Sequence, residues 1–168
     1  MSFSKTLTYG VKVLGFEVGE IKVVVSENKA VAEGQTYENF RWLYEYDFKF
    51  VWEGNDAYLY ERERGKNRVY RGEEVYTRKP WIPIIVEYLR EGRIKDTELF
   101  SVRRENDKVV VIPKDKKRLE KILIYGQRVP EKIEIYGQLP ITLILKDVRE
   151  DKGAFQKGEF KSFGGASS

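Results

Sequence analysis

Residues 80–93 read PWIPIIVEYLREGR. Ile84, Ile85, Tyr88 and Leu89 recur at the spacing of one helical face, Pro83 is tolerable in a first turn, and Gly92 is a natural stop. The stretch therefore predicts an amphipathic helix over Pro83–Arg90, the clearest helix in the chain. Its apolar stripe needs a partner, and nearly everything around it alternates with a period of two.

Upstream, LTYGVKV puts Leu7, Tyr9, Val11 and Val13 on one face. Leu14-Gly15 breaks the run. FEVGEIKVVV then sets Gly19, Ile21, Val23 and Val25 against Phe16 and Val18, which predicts a hairpin with a bulge near Gly19. In KAVAEGQTYENFRWLYEYDFKFVWEGN, Phe40, Leu43 and Tyr44 suit a short helix or irregular turn over 38–44. Phe48, Phe50 and Trp52 suit a strand ending at Glu53, before the turn signal Asn55-Asp56. YLYERERGKNRVYRGEEVY reads as a hairpin; a Gly65-Lys66 loop would set Glu63 opposite Arg68 and Tyr60 opposite Arg71.

Downstream come five short β-rich runs: ELFSVRR, KVVVIP, RLEKILIY, EKIEIYG and ITLILKD. Ile-Tyr-Gly-Gln occurs in them twice, at 124–127 and 135–138, each time with a proline soon after, at Pro130 and Pro140. A turn recurring between neighbouring strands explains the echo, and no third copy supports a solenoid. Roughly ten strands and one or two short helices predict an α+β, mainly β domain. Its form is a curved antiparallel sheet or open barrel whose concave side is closed by the helix. At 168 residues, one domain over 1–168 is expected, with 163–168 as a flexible tail.

The chain has no cysteine and no histidine, so thiol nucleophiles, disulfides, Cys/His zinc sites and imidazole chemistry are all excluded. No metal site or cofactor is expected. Serine catalysis would have to run through lysine, and Ser-Phe-Ser-Lys at 2–5 lies at the chain's start. Carboxylate pairs such as Glu61 with Glu63 and Glu73-Glu74 suit a sugar hydrolase only if they flank a cleft. We therefore expect no catalytic residue, with a carboxylate enzyme acting on cell-wall sugar as the alternative. A purely structural interaction module is a third possibility.

The 31 basic and 27 acidic residues are interleaved, which argues against nucleic acid as a partner. PKDKKRLEK at 113–121 is the one basic cluster, and lysines guarding a strand edge account for it. No apolar run approaches the roughly 20 residues of a membrane helix. Localisation is either cytoplasmic or, if a signal peptide has been removed, the periplasm or cell envelope. Few Asn and Gln beside many Lys, Glu and Arg fit the composition of a thermophile. The 3 Trp, 11 Tyr and 9 Phe are first of all core residues, but a sheet this aromatic under one helix also suits an apolar cavity. Trp42, Trp52, Trp81, Ile85 and Tyr88 are the candidates to line it, with a lipid or acyl chain as the ligand.

LTYGVKVLGFEVGEIKVVV, WIPIIVEYLREG and GQRVPEKIEIYGQLPITLILKD, in that order, resemble an uncharacterised bacterial family catalogued as domain of unknown function 3108. The likeness spans about residues 5 to 147, and this chain is compressed between its first hairpin and the helix. The resemblance implies an exported protein in the periplasm or envelope. It also implies a curved sheet like the half-barrels of periplasmic lipoprotein carriers, which hold lipid chains on the concave side. That family has no established activity, so it assigns no functional residue.

Overall fold

The computed structural model describes residues 3–152. The stretch 163–168, expected as a tail, lies outside them. Six strands come first: β1 (Phe3–Val13), β2 (Phe16–Ser26), β3 (Lys29–Thr36), β4 (Tyr46–Glu53), β5 (Asp56–Glu63) and β6 (Lys66–Arg71). Two helices follow, α1 (Glu73–Arg78) and α2 (Trp81–Glu91). Five strands complete the described chain: β7 (Phe100–Glu105), β8 (Lys108–Pro113), β9 (Leu119–Tyr125), β10 (Lys132–Gly137) and β11 (Ile141–Lys152).

All eleven strands form one antiparallel sheet in the order β6-β5-β4-β3-β2-β1-β11-β10-β9-β8-β7. Consecutive strands pair with each other except β6 and β7, and β1 also pairs with β11, from Phe3 opposite Lys152 to Lys12 opposite Thr142. The sheet does not close: β6 and β7 are its free edges, and the helical segment carries the chain from one to the other. The fold is thus the expected α+β, mainly β open sheet with two short helices.

Curvature comes from local irregularities. The β1–β2 register slips between Val11 and Lys12, so Val18 has no partner of its own, which is the bulge expected near Gly19. A second slip lies between Thr8 and Tyr9 on the β11 side, and a third at Tyr136/Gly137. Each adds a bend and extra twist to its strand.

The concave face holds the core. Leu7, Tyr9, Ile21, Val23, Phe50, Leu59, Ile122 and Ile133 are all buried there. Against them lies α2, which buries Ile82, Pro83 and Val86 in addition to the expected Ile84, Ile85, Tyr88 and Leu89. Gly92 stops the helix in the left-handed conformation, at φ 77°, and its N–H caps the Tyr88 carbonyl at 2.8 Å.

Close approach of α2 is made possible by β3, a strand the sequence pattern does not announce. Its inward positions are Ala30, Ala32, Gly34 and Thr36, too small to give a hydrophobic alternation. Gly34 makes room for the Phe48 ring, since a Cβ there would sit 2.1 Å from Phe48 Cε2. Phe48 in turn meets Trp81 edge-on, with ring centroids 5.7 Å apart. A void between α2 and the sheet, bounded by Tyr9, Val23, Ile85 and Leu143 among others, is only about 10 Å³. That is too small for more than a single water.

Three other expectations need correction. The β5–β6 turn is Arg64-Gly65, with both φ positive at 51° and 82°, so Glu61 faces Arg68 and Tyr58 faces Arg71. The backbone twist of that turn type matches the flanking strands, which moves the loop one residue earlier than supposed. The short helix or irregular turn expected over 38–44 is there, as a 3-10 helix at Glu38–Phe40 followed by a turn. The basic cluster at 113–121 runs from the end of β8 into β9, inside the sheet, and the edge strand is β7. The two Gly-Gln corners differ as well: Gly126 has φ 104°, whereas Gly137 is still a strand residue opposite Leu119.

Because α2 fills the half-barrel so tightly, Ile85→Ala should leave a core cavity and lower the unfolding free energy by about 2–5 kcal/mol in urea titrations. A loss under about 1 kcal/mol would mean that the helix is loosely seated.

Candidate functional site

With the interior filled, the open concavities lie at the ends and the gap of the sheet. The first occupies the gap. Tyr76, Pro80 and Ile84 of the helical segment face Leu99, Phe100 and Pro113 across a groove of about 450 Å³. Glu73, Glu98, Asp115 and Arg118 stand around it. A second groove, about 420 Å³, lies at the start of α2 and shares Pro80 and Arg118 with the first. Trp81, Leu14, Leu43 and Leu139 form its apolar wall. Leu14 is 70% exposed and Leu99 51%, so these walls carry apolar side chains that the core leaves unburied.

One side of this region is braced by ions. Glu61 is buried; the Tyr46 hydroxyl donates to its Oε1 at 2.8 Å, and Arg68 approaches its Oε2 at 3.5 Å. Lys79 lies 3.8 Å from Glu61 and 3.4 Å from Glu63, with its ammonium 4.7 Å from the centroid of the Tyr46 ring. Burial, followed by the charge of Glu61, drives the Tyr46 hydroxyl far above its ordinary pKa. Glu61 and Glu63 are therefore both bridged by Lys79 and Arg68, and they pin the α1–α2 corner to β5. They do not face each other across a cleft as a glycosidase pair does.

The five sequence candidates are dispersed. Trp81 borders the second groove. Ile85 abuts the 10 Å³ void in the core. Trp52 packs against the core edge-on to Phe50 and under Arg90, whose guanidinium lies 4.6 Å from its ring centroid. Tyr88 is 2% exposed, behind the far end of α2. Trp42 is 80% exposed on the turn after the 3-10 helix, its Nε1 donating to the Asn39 carbonyl at 2.9 Å. Arg41 holds that turn through Glu45 and Asp47, each at 2.7 Å. The sequence reading missed Tyr76, Leu99, Phe100 and Arg118, because each looked like part of an ordinary helix, strand or basic loop.

The Ile-Tyr-Gly-Gln echo finds its role on the outer face of the sheet. Tyr125 and Tyr136 both donate to Glu134 Oε1, at 3.0 and 3.2 Å. Lys132 lies 4.3 Å from the Tyr125 ring centroid and Lys121 5.0 Å from that of Tyr136. The repeat is thus a polar brace between β9 and β10. Among the described residues, no group of three acidic side chains could hold a metal ion, and no helix is long and apolar enough to cross a membrane.

No family model matches the chain. It is 46% identical over 151 residues to an uncharacterized protein of Aquifex aeolicus (strain VF5), a match that covers 90% of each chain. The chain belongs to that protein's family. At this identity over nearly the whole chain, the Aquifex relative is expected to share the open sheet.

Glu87, on α2, is half-buried beside Tyr76, and burial followed by repulsion from Glu91 raises its pKa. The folded state thus holds this proton to higher pH than the unfolded state does. Stability contributed by the protonated form is lost as pH rises from the ordinary carboxylate range through the folded value. Glu87→Gln should match the parent's urea midpoint at about pH 3 and exceed it at about pH 7. A midpoint at neutral pH equal to or below the parent's would contradict this.

Proposed function

We propose that this protein is a non-enzymatic binding protein of the cell envelope that takes an apolar chain, such as a fatty-acyl tail, in the groove between the helical segment and β7. The observation that carries the reading is the groove's lining, in which Tyr76, Pro80, Ile84, Leu99, Phe100 and Pro113 come together in the gap of the sheet. Its volume falls in the range of roughly 300–1,000 Å³ usual for small-molecule sites. Arg118, shared with the neighbouring groove, would meet a carboxylate or phosphate at the chain's polar end.

The envelope setting rests on the resemblance to domain of unknown function 3108, and the ligand class on the analogy with lipoprotein-carrier half-barrels. The ligand would lie beside α2, because α2 occupies the concave face where those carriers hold their lipid. A high working temperature fits both the composition and the origin of the relative in Aquifex, a thermophile.

Native mass spectrometry and thermal-shift measurements with palmitate and phosphatidylethanolamine test the reading. A ligand that binds only the folded state raises the melting temperature, so a mass adduct and an upward shift are expected together. Leu99→Asp, which places a charge on an already exposed wall, should abolish both without lowering the melting temperature of the free protein. No adduct and no shift at saturating lipid would leave the structural-module reading standing in its place.

A further inference from the structure

A cleft larger than either groove lies at the opposite end of α2 from Trp81, and it differs in kind from them. It is about 620 Å³ and is walled by the end of α2, the start of β1, the β7–β8 turn and the β9–β10 connection. Lys5, Arg90, Arg104 and Arg128 stand around it, with Asn106 and Gln127 as neutral amides. Its carboxylates are Glu91 and Asp107. Glu91 is committed to Arg90 at 3.0 Å, and Arg90 also packs on the Trp52 ring. Lys108, at the rim, lies over the Tyr125 ring, 5.9 Å from its centroid. Among the described residues, none of Lys5, Arg104 and Arg128 lies within 4.0 Å of a carboxylate.

The three free cations are far apart in sequence, and Arg104 and Arg128 each sit in a stretch of mixed sign. Only the meander, by bringing the β7–β8 and β9–β10 turns and β1 to one rim, puts them on one concave surface. Attraction to the last carbonyls of α2 explains Arg90, in the helix's final turn. Gly92 already caps one of those carbonyls, and cations on strands and turns beyond the helix are not needed for its end. A concave surface with several cations and amide donors has the chemistry to hold a multivalent oxyanion.

We propose that this cleft is a phosphate-binding site, taking a phosphate or diphosphate group either on a soluble metabolite or on a lipid headgroup, with Lys5, Arg104 and Arg128 as its charged contacts. The site is independent of the acyl groove, from which it is separated by the length of α2, about 16 Å for eleven residues.

The test uses the full chain in low-salt buffer. Inorganic pyrophosphate is titrated by calorimetry, and binding to phosphatidylglycerol vesicles is compared with binding to phosphatidylcholine vesicles. Saturable one-to-one binding of pyrophosphate assigns a soluble phosphate compound. Binding to the phosphatidylglycerol vesicles alone assigns a headgroup. In either case Arg104→Gln with Arg128→Gln should weaken binding about tenfold, because two charge contacts are lost. Lys116→Gln with Lys117→Gln, on the β8–β9 loop, removes the same net charge elsewhere and should leave binding within about twofold of the parent. Both arginines are exposed, so the double variant is expected to fold, and its melting temperature verifies this. Leu99→Asp should leave pyrophosphate binding intact, which separates this site from the acyl groove. Absence of saturable binding to either probe overturns the proposal, and so does an equal loss in the two double variants.

Discussion

Everything in this molecule depends on one helix seated in an open half-barrel. Each apolar side chain that α2 buries contributes about 1.5–3 kcal/mol, and seven of its eleven residues are buried. The sheet is arranged for that contact. Small residues on β3 admit the helix, bulges in β2 and β11 curve the sheet around it, and the long β1–β11 ladder joins the two halves of the meander beneath it. The sheet can remain unclosed because the segment joining its free edges is the same segment that fills its interior.

That arrangement moves any binding chemistry outward. A filled interior has no room for a chain, so concavities survive only where the helical segment meets the sheet's gap and rims. The two ends of α2 then differ in character. Apolar side chains gather around Trp81, while Lys5, Arg104 and Arg128 gather beyond Gly92. The ion pairs of Glu61 and Glu63 with Lys79 and Arg68 hold the corner between α1 and α2, which fixes the wall of the apolar end.

Much of the fold was legible in the sequence because period-two and helical stripes report burial directly. The α2 stripe, the Leu14-Gly15 hairpin and the closing strands stand in the structure where the pattern puts them. β3 was not legible, since Ala30, Ala32 and Gly34 are inward for reasons of space and carry little hydrophobic signal. The β5–β6 register was misplaced because two turn positions fit the same charge alternation, and backbone twist decided between them. The sites were the least legible. Trp42 looked like a lining residue on composition alone and lies 80% exposed, while Arg104 and Arg128 meet only through topology. Membership of the Aquifex protein's family adds no residue roles, so the candidate sites rest on geometry.

The seating of α2 is tested most directly by native-state hydrogen exchange. If the helix is integral to the core, the amides of Ile85, Val86 and Leu89 should exchange only through global unfolding, with the same free energy and denaturant dependence as Ile21 and Val23 of β2. The shorter α1 should open at lower free energy, since it buries only Val75. Exchange of the α2 amides through a separate, smaller opening while β2 stays protected would contradict the account. It would show instead a detachable lid over a half-barrel able to empty.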